Sequence, residues 1–441
     1  LCYSILNLNL LFIVLSSFFL FKFQIFNLNF KILDKLIIFF FIYIILNGFY
    51  NNFFNFNFPE VPDKNIIIKK SFFYLRFLLL YFVIRTLVEK KLINFKLVFY
   101  SFGLSSLFVS TDILIQLAFG VDIFGYESYD RRLSGPFGDE KIAGSFIQRF
   151  FIFLPYSILL FSKINNKIIL NLLLIFLSTI VIFGTLFSGN RIPLVMLIIS
   201  FFLLCFFKKE IRKYFILVFV IFLIGFSFLN LENNVYRHHY KNFIKQSTIV
   251  VQYLKNKIVT GNIVAPDECR NQDLITSDQN NVATEIRVKC KNYLNIYIKE
   301  IDSGIQTWEK NKFFGGGLGS FRYQCNSIDR SKMEFFVTKI GEVNCNNHPH
   351  NYYLQISAEL GAFGLFTIIC LFILIIFKSL LHINSSKLNY NEKRIFLAFF
   401  IIFILEIFPF KTTGSFFTNS NATFLFIILS FVIGLLNRKN V

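Results

Sequence analysis

The chain has 441 residues, 55% of them hydrophobic and only 16% charged, with a mean hydropathy of +0.59. A soluble chain carries roughly a quarter of its residues as charges, so this composition excludes an ordinary soluble globular protein. The 45 basic residues against 26 acidic ones leave a net charge of +19, yet no basic stripe lies on a soluble segment, which argues against nucleic-acid binding.

The apolar residues come in repeated blocks of the length that crosses a bilayer as a helix, about 20 residues. In chain order they predict eleven spans, near 4–21, 36–50, 72–88, 97–119, 145–162, 168–187, 192–207, 214–231, 361–377, 395–410 and 422–436. The span at 36–50 is short, and the one at 72–88 carries Arg76 and Arg85. Alternate loops differ in basic content. Lys22, Lys31 and Lys35, then Lys90, Lys91 and Lys96, then Lys208, Lys209, Arg212 and Lys213, then Lys387, Lys393 and Arg394 all fall in one set. Short cytoplasmic loops hold an excess of Lys and Arg, so this set is predicted to be cytoplasmic. That orientation puts the C-terminus inside and residue 1 outside, and there is no initiator Met. Both features predict one more helix before residue 1 and twelve spans in all.

The reading is an all-α polytopic membrane protein in three parts. Residues 1–231 form a bundle of eight spans, 232–350 a large extracytoplasmic loop, and 351–441 a bundle of three spans. Within the loop, 291–310 reads as an amphipathic helix, with Tyr293, Ile296, Ile298, Ile301 and Ile305 among polar residues. Cys269, Cys290, Cys325 and Cys345 all lie in that loop, while Cys2, Cys205 and Cys370 lie in spans. An even set confined to one loop predicts disulfides in an oxidising compartment. Three pairings are open; nearest neighbours, 269–290 and 325–345, are favoured over the others and over four free thiols.

Several chemistries are missing from the sequence. There is no Asp-x-Asp pair for a sugar-nucleotide metal site and no Walker loop, and Gly315-Gly316-Gly317-Leu318-Gly319 lacks the spacing of a dinucleotide fingerprint. No metal or cofactor is expected. The polar residues that could carry chemistry gather on the predicted outer side. His348-Pro349-His350-Asn351 leads into Gln355, Glu359, Gly361 and Gly364. Asn351, Gln355 and Glu359 are spaced by four, so a helix would align them in one stripe. A carboxylate at the top of a membrane helix is costly unless it faces a wet cavity or a partner, and a histidine can act as a base near neutral pH. The plain alternative is that the stripe only caps and seats the helix. Ser188-Gly189-Asn190-Arg191 lies between two spans. Its guanidinium fork suits phosphate oxygens, or else it snorkels to headgroups. Arg131 and Arg132 precede Leu133-Ser134-Gly135-Pro136, either an anion cradle or a solvated loop. Arg237, His238, His239 and Tyr240 read as headgroup contacts, Trp308 as a packing residue, and Arg322 lies between the glycine run and Cys325.

Together these segments resemble the bacterial O-antigen ligase and O-antigen polymerase superfamily of membrane glycosyltransferases. The resemblance rests on the histidine motif from His348 to Gly364, the turn ending at Arg191, the Arg132-Leu133-Ser134-Gly135 loop and the glycine run before Phe321, in the family's order across residues 125–375. Cys325 and Cys345 also look like a subgroup of that family. It implies a GT-C-like fold. The implied activity moves a glycan from undecaprenyl pyrophosphate to an acceptor hydroxyl, on lipid A–core in the ligases, at the periplasmic face of the inner membrane. It further implies a catalytic role for His350 and pyrophosphate binding by Arg191; the chemistry of the residues themselves adds Glu359 as the second catalytic candidate and Arg132, Arg322, Asn351 and Gln355 as substrate-binding candidates. The family's second Arg, a few residues before the loop Trp, is absent from Ser303-Gly304-Ile305-Gln306-Thr307-Trp308. Arg322 or the Arg237 group would stand in for it. The partners implied are a polyprenyl-pyrophosphate-linked glycan, a hydroxyl acceptor and the bilayer. A polymerase, a protein O-oligosaccharyltransferase and, from another class, a transporter of lipid-linked glycan are the rival readings.

Overall fold

A computed structural model describes residues 15, 30–54, 65–127, 132–207, 212–231, 235–260, 296–326, 345, 347–385, 389–412 and 414–438. The helices are α1 (Ile32–Phe53), α2 (Ile66–Glu89), α3 (Phe95–Phe119), α4 (Ala143–Phe150), α5 (Phe153–Phe161), α6 (Lys167–Phe187), α7 (Arg191–Phe207), α8 (Arg212–Leu231), α9 (Val235–Thr260), α10 (Ile296–Lys310), α11 (Phe321–Asn326), α12 (Tyr352–Asn384), α13 (Tyr390–Glu406) and α14 (Asn419–Asn437). Among the described residues there is no strand, only an isolated bridge between Val121 and Glu127.

Among the described residues seven stretches are long and apolar enough to cross a bilayer: α1, α2, α3, α4 with α5, α6, α12 and α14. The chain is a multi-pass membrane protein. α7 and α13 are apolar but only 17 residues long, and the expected span at 4–21 lies, Leu15 apart, outside the described residues. The short span expected at 36–50 is a helix of 22 residues. Within α2, Arg85 is fully buried and pairs with Glu89 one turn on, at 3.1 Å, and Arg76 donates to the Asn419 side chain. These partners let α2 carry two arginines.

Two helices depart from the expected pattern for local reasons. The span expected at 145–162 is broken at Phe151–Ile152, because Pro155 has no N–H to give the Phe151 carbonyl and its ring crowds that position. The Leu154 N–H takes that carbonyl instead, at 3.0 Å. α12 starts at Tyr352, nine residues before the expected 361, and is interrupted at Gly361 (φ 69°, ψ −174°).

The residues divide into two compact units that interleave along the chain. One draws on 1–83, 244–376 and 409–426, the other on 84–243, 377–408 and 427–441. In the first, aromatic rings fill the core: Phe41 stacks on Tyr74 at 5.6 Å and Phe77 on Phe426 at 6.0 Å. Cys325 and Cys345 are joined in a disulfide, with Cα atoms 5.7 Å apart, packed against Phe321 and Ala358. Cys269 and Cys290 lie outside the described residues. In the second unit α3 packs on α5 and α6 through small residues. A Cβ on Gly103 would lie 2.8 Å from Leu154 Cα, and one on Gly184 would lie 2.8 Å from Ser110 Cα, the close approach that glycine permits between membrane helices. Arg149 on α4 grips Glu406 at the end of α13 with two bonds, Nε to Oε2 at 3.2 Å and Nη2 to Oε1 at 2.8 Å.

Arg149→Ala would leave the buried Glu406 carboxylate without that grip, a loss of about 3–5 kcal/mol. A lower melting temperature in detergent is expected, with most of it restored in Arg149→Met/Glu406→Leu. For the disulfide, peptide mapping after thiol labelling is expected to find Cys325 and Cys345 modified only after reduction; modification of both without reductant would contradict the bond.

Candidate functional site

The first unit builds its polar centre at the start of α12. Asn351 caps that helix: its Oδ1 accepts the N–H groups of Tyr353 and Leu354 at 2.9 and 3.1 Å, and its amide donates to the Pro409 carbonyl at 2.7 Å. The turn into this cap forces His350 into the left-handed region at φ 49°, a conformation that costs a non-glycine residue about 1–2 kcal/mol and that clusters at functional sites. The His348 and His350 rings lie 4.4 Å apart. His350 Nε2 is 3.7 Å from Glu300 Oε1 on α10, too far for a hydrogen bond. Burial pulls His350 below the ordinary histidine range and outweighs that distant carboxylate. Burial, then His350 and Arg322, push His348 down to about 4. Burial thus favours the neutral form of both rings, the form able to accept a proton.

Below the cap, the expected stripe forms a chain of hydrogen bonds. Ser415 Oγ and the Phe416 N–H donate to Gln355 Oε1, both at 2.8 Å. Gln355 Nε2 donates to Glu359 Oε1 at 3.2 Å, and the Gly319 N–H donates to Glu359 Oε2 at 2.7 Å. Glu359 is fully buried. The break at Gly361 releases backbone groups that an unbroken helix would pair, and the chain before α11 takes them up. Gly316 and Gly317 donate to the carbonyls of Ala358 and Glu359 at 3.1 and 2.8 Å, while Ala362 and Phe363 donate to those of Lys312 and Phe313 at 2.8 and 3.2 Å. Only glycine fits the join. A Cβ on Gly315 (φ 73°) would lie 2.5 Å from the Glu359 carbonyl, and one on Gly361 would lie 2.6 Å from Gly315 N.

Two cations flank this join. Lys70 of α2 lies across Gly319, where a Cβ would strike its side chain. Its Nζ is 5.9 Å from the Tyr323 ring centroid, and Arg322 Cζ is 6.0 Å from the same centroid. Arg322 is exposed. Lys70 and Arg322 are close enough to repel each other and to feel Glu359. Trp308 donates to the Lys312 carbonyl at 2.9 Å, which steadies the chain leading into the glycine run.

The second unit holds Arg191 and Arg132. The turn before Arg191 is tied down by Ser188 Oγ donating to the Thr185 carbonyl at 2.7 Å and by Asn190 donating to the Lys141 carbonyl at 3.1 Å. Arg191 meets the fully buried ring of His239, Nε to Nε2 at 3.1 Å and Nη2 to Nδ1 at 3.0 Å. Tyr240 donates to the Leu186 carbonyl at 2.7 Å. The headgroup reading of His239 and Tyr240 is thereby corrected: both are buried against the Arg191 turn, and only His238 of the pair of histidines is exposed. Arg132 is half-buried, at the start of a stretch in which the Gly135 N–H donates to Gln116 Oε1 at 3.0 Å. Arg131 lies outside the described residues.

Of the residues singled out by sequence, His348, His350, Asn351, Gln355, Glu359 and Arg322 come together in the first unit. Lys70 and Glu300 escaped that reading, and His239 entered it only as a headgroup contact. Lys70 is one of many basic residues near the ends of spans, Glu300 is one polar position in an amphipathic helix, and nothing local marks His239 as the neighbour of a residue 48 positions earlier. Among the described residues no group of three or more His, Cys, Asp or Glu is placed to hold a metal ion.

No curated protein matches the chain. Residues 172–369 match the family model described as O-antigen ligase, a segment that takes in the Arg191 turn, His239, the glycine run, His350 and the Gly361 join. The matched segment holds the Arg191 turn, the glycine run and the histidine motif on which the resemblance to the O-antigen ligase superfamily rests.

Proposed function

We propose that this protein transfers a glycan from a polyprenyl-pyrophosphate carrier to a hydroxyl acceptor such as lipid A–core, at the periplasmic face of the bacterial inner membrane. The observation that carries the reading is His350. It sits in a left-handed turn where burial favours the neutral ring, in the same unit as Arg322 and Lys70. In the proposed reaction the acceptor O–H gives its proton to a ring nitrogen of His350. The oxygen forms a bond to the anomeric carbon as that carbon's bond to the pyrophosphate oxygen breaks, and the pyrophosphate leaves with the electron pair. One displacement inverts the anomeric centre. Arg322 and Lys70 would stabilise the charge that develops on the leaving group, the part a metal plays in sugar-nucleotide enzymes, and Arg191 and Arg132 are assigned a phosphate-binding role on the chemistry of the guanidinium fork. Glu359 has both oxygens engaged within the fold, so we assign it to positioning the glycine run in place of proton transfer. The eleven-span topology and the outward orientation of residues 232–350 belong to the same proposal; the excess of Lys and Arg in the alternate loops supports them.

Loss of the gene, read by gel analysis of lipopolysaccharide, tests the function. A ligase leaves bare lipid A–core, whereas a polymerase leaves core bearing a single repeat.

His350→Asn removes the base while keeping a residue that tolerates the left-handed backbone. Transfer is expected to fall about 10²- to 10⁴-fold at unchanged protein level. The neutral ring is the active form and burial lowers its pKa, so the acid limb of kcat/KM in the wild type is expected below pH 6.5, the unperturbed value. A limb at or above that pH, or an Asn variant keeping more than about a tenth of the rate, would remove His350 as the base. Lys70→Met and Arg322→Met are each expected to weaken donor use about tenfold or more, the scale of a lost charged hydrogen bond, measured as kcat/KM for the lipid-linked donor.

A further inference from the structure

We infer that His239 is a positioning residue: it holds the Arg191 guanidinium in the orientation that binds the anionic end of the donor. The inference rests on the reading of Arg191 as a phosphate-gripping residue and adds the residue through which that grip is set.

The imidazole is fully buried and both of its nitrogens have partners. Its Nε2 lies 2.9 Å from the Gly189 carbonyl, and a carbonyl can only accept. In either tautomer one ring nitrogen accepts from Arg191: Nδ1 from Nη2 at 3.0 Å when Nε2 carries the hydrogen and serves the Gly189 carbonyl, or Nε2 from Nε at 3.1 Å when it does not. Gly189, at φ 65°, turns its carbonyl toward the ring, so the same tight turn that leads into Arg191 also fixes the residue that orients it. Phe243, four positions after His239 and on the same face of α9, places its ring centroid 5.7 Å from Arg191 Cζ. Tyr240 fastens the start of α9 to the Leu186 carbonyl. The guanidinium thus lies beside an imidazole and over a phenyl ring, both from one helix.

The chemistry of this partner matters. A carboxylate in the place of His239 would cancel the charge that Arg191 offers; a neutral imidazole orients the group and leaves that charge intact. Arg side chains carry about 2 kcal/mol of rotamer entropy, so an arginine that meets its ligand already oriented binds it more tightly than a freely moving one. A second proton on the ring would remove the acceptor and set two cations against each other.

The test uses the purified full-length protein in detergent, with binding of undecaprenyl pyrophosphate by calorimetry and kcat and KM for the lipid-linked donor. The variants are His239→Leu, His239→Gln, Arg191→Ala and Arg191→Ala/His239→Leu. His239→Leu is expected to weaken binding about 10- to 100-fold, the scale of one hydrogen bond to a charged group, with KM raised and kcat at saturating donor nearly kept. His239→Gln, which retains an acceptor, should restore most of the affinity, and the double variant should be no worse than Arg191→Ala. His239→Asn, whose Oδ1 stands in the place of Nδ1, should likewise keep an acceptor for Arg191, and His239→Ala gives the same readings where the Leu variant does not accumulate. Binding lost with Arg191→Ala but kept with His239→Leu overturns this inference alone, as does a double variant in which the two losses multiply. Wild-type binding by Arg191→Ala overturns the phosphate-grip reading as well.

Discussion

Backbone groups in an apolar helix have no water to turn to, and the break at Gly361 exposes four of them at once. Each unmet group would cost several kcal/mol in hydrocarbon. The glycine run meets that demand: the carbonyls of Ala358 and Glu359 and the N–H groups of Ala362 and Phe363 all find partners in residues 312–317. The Leu360 carbonyl, between them, takes the Tyr43 hydroxyl at 2.6 Å. A helix of the membrane is thereby joined to the long inter-span segment by main-chain bonds, independent of side-chain rotamers.

What stands on that join follows from it. Glu359 reaches Gly319 because the glycine run is held at its own backbone, and Gln355 extends the chain of bonds to Ser415 and Phe416. One turn further out, Asn351 caps the helix and leaves His350 with the left-handed backbone. Lys70 and Arg322 repel each other across this region. Like charges brought together at a stability cost mark sites where an anionic ligand repays it. The second unit repeats the principle on a smaller scale, with Gly189 shaping a turn from which Arg191 projects toward His239.

The helices were legible because apolar blocks of twenty residues have few other uses, and the stripe of Asn351, Gln355 and Glu359 was legible because helical spacing is local. Charges inside a span weaken the hydropathy signal, so α2 read as doubtful until Glu89 and Asn419 supplied partners for Arg85 and Arg76. Pro155 marked its own break, but a run of apolar residues around it masked the division of α4 from α5. The join at Gly361 was not legible. Its two halves are 46 residues apart, and the glycines of either half, taken alone, read as ordinary loop and packing glycines. His239 is the same case: its meaning depends wholly on a turn that local pattern cannot place beside it.

The central claim is transfer of a glycan from polyprenyl pyrophosphate in a single displacement. Its most direct measurement is a reconstituted reaction of the purified chain with an undecaprenyl-pyrophosphate-linked glycan and lipid A–core, with the product linkage read by NMR. The account predicts glycosylated lipid A–core and free undecaprenyl pyrophosphate in equal amounts, with the anomeric configuration inverted. A product of retained configuration, or no product from a folded protein that binds the donor, would contradict it.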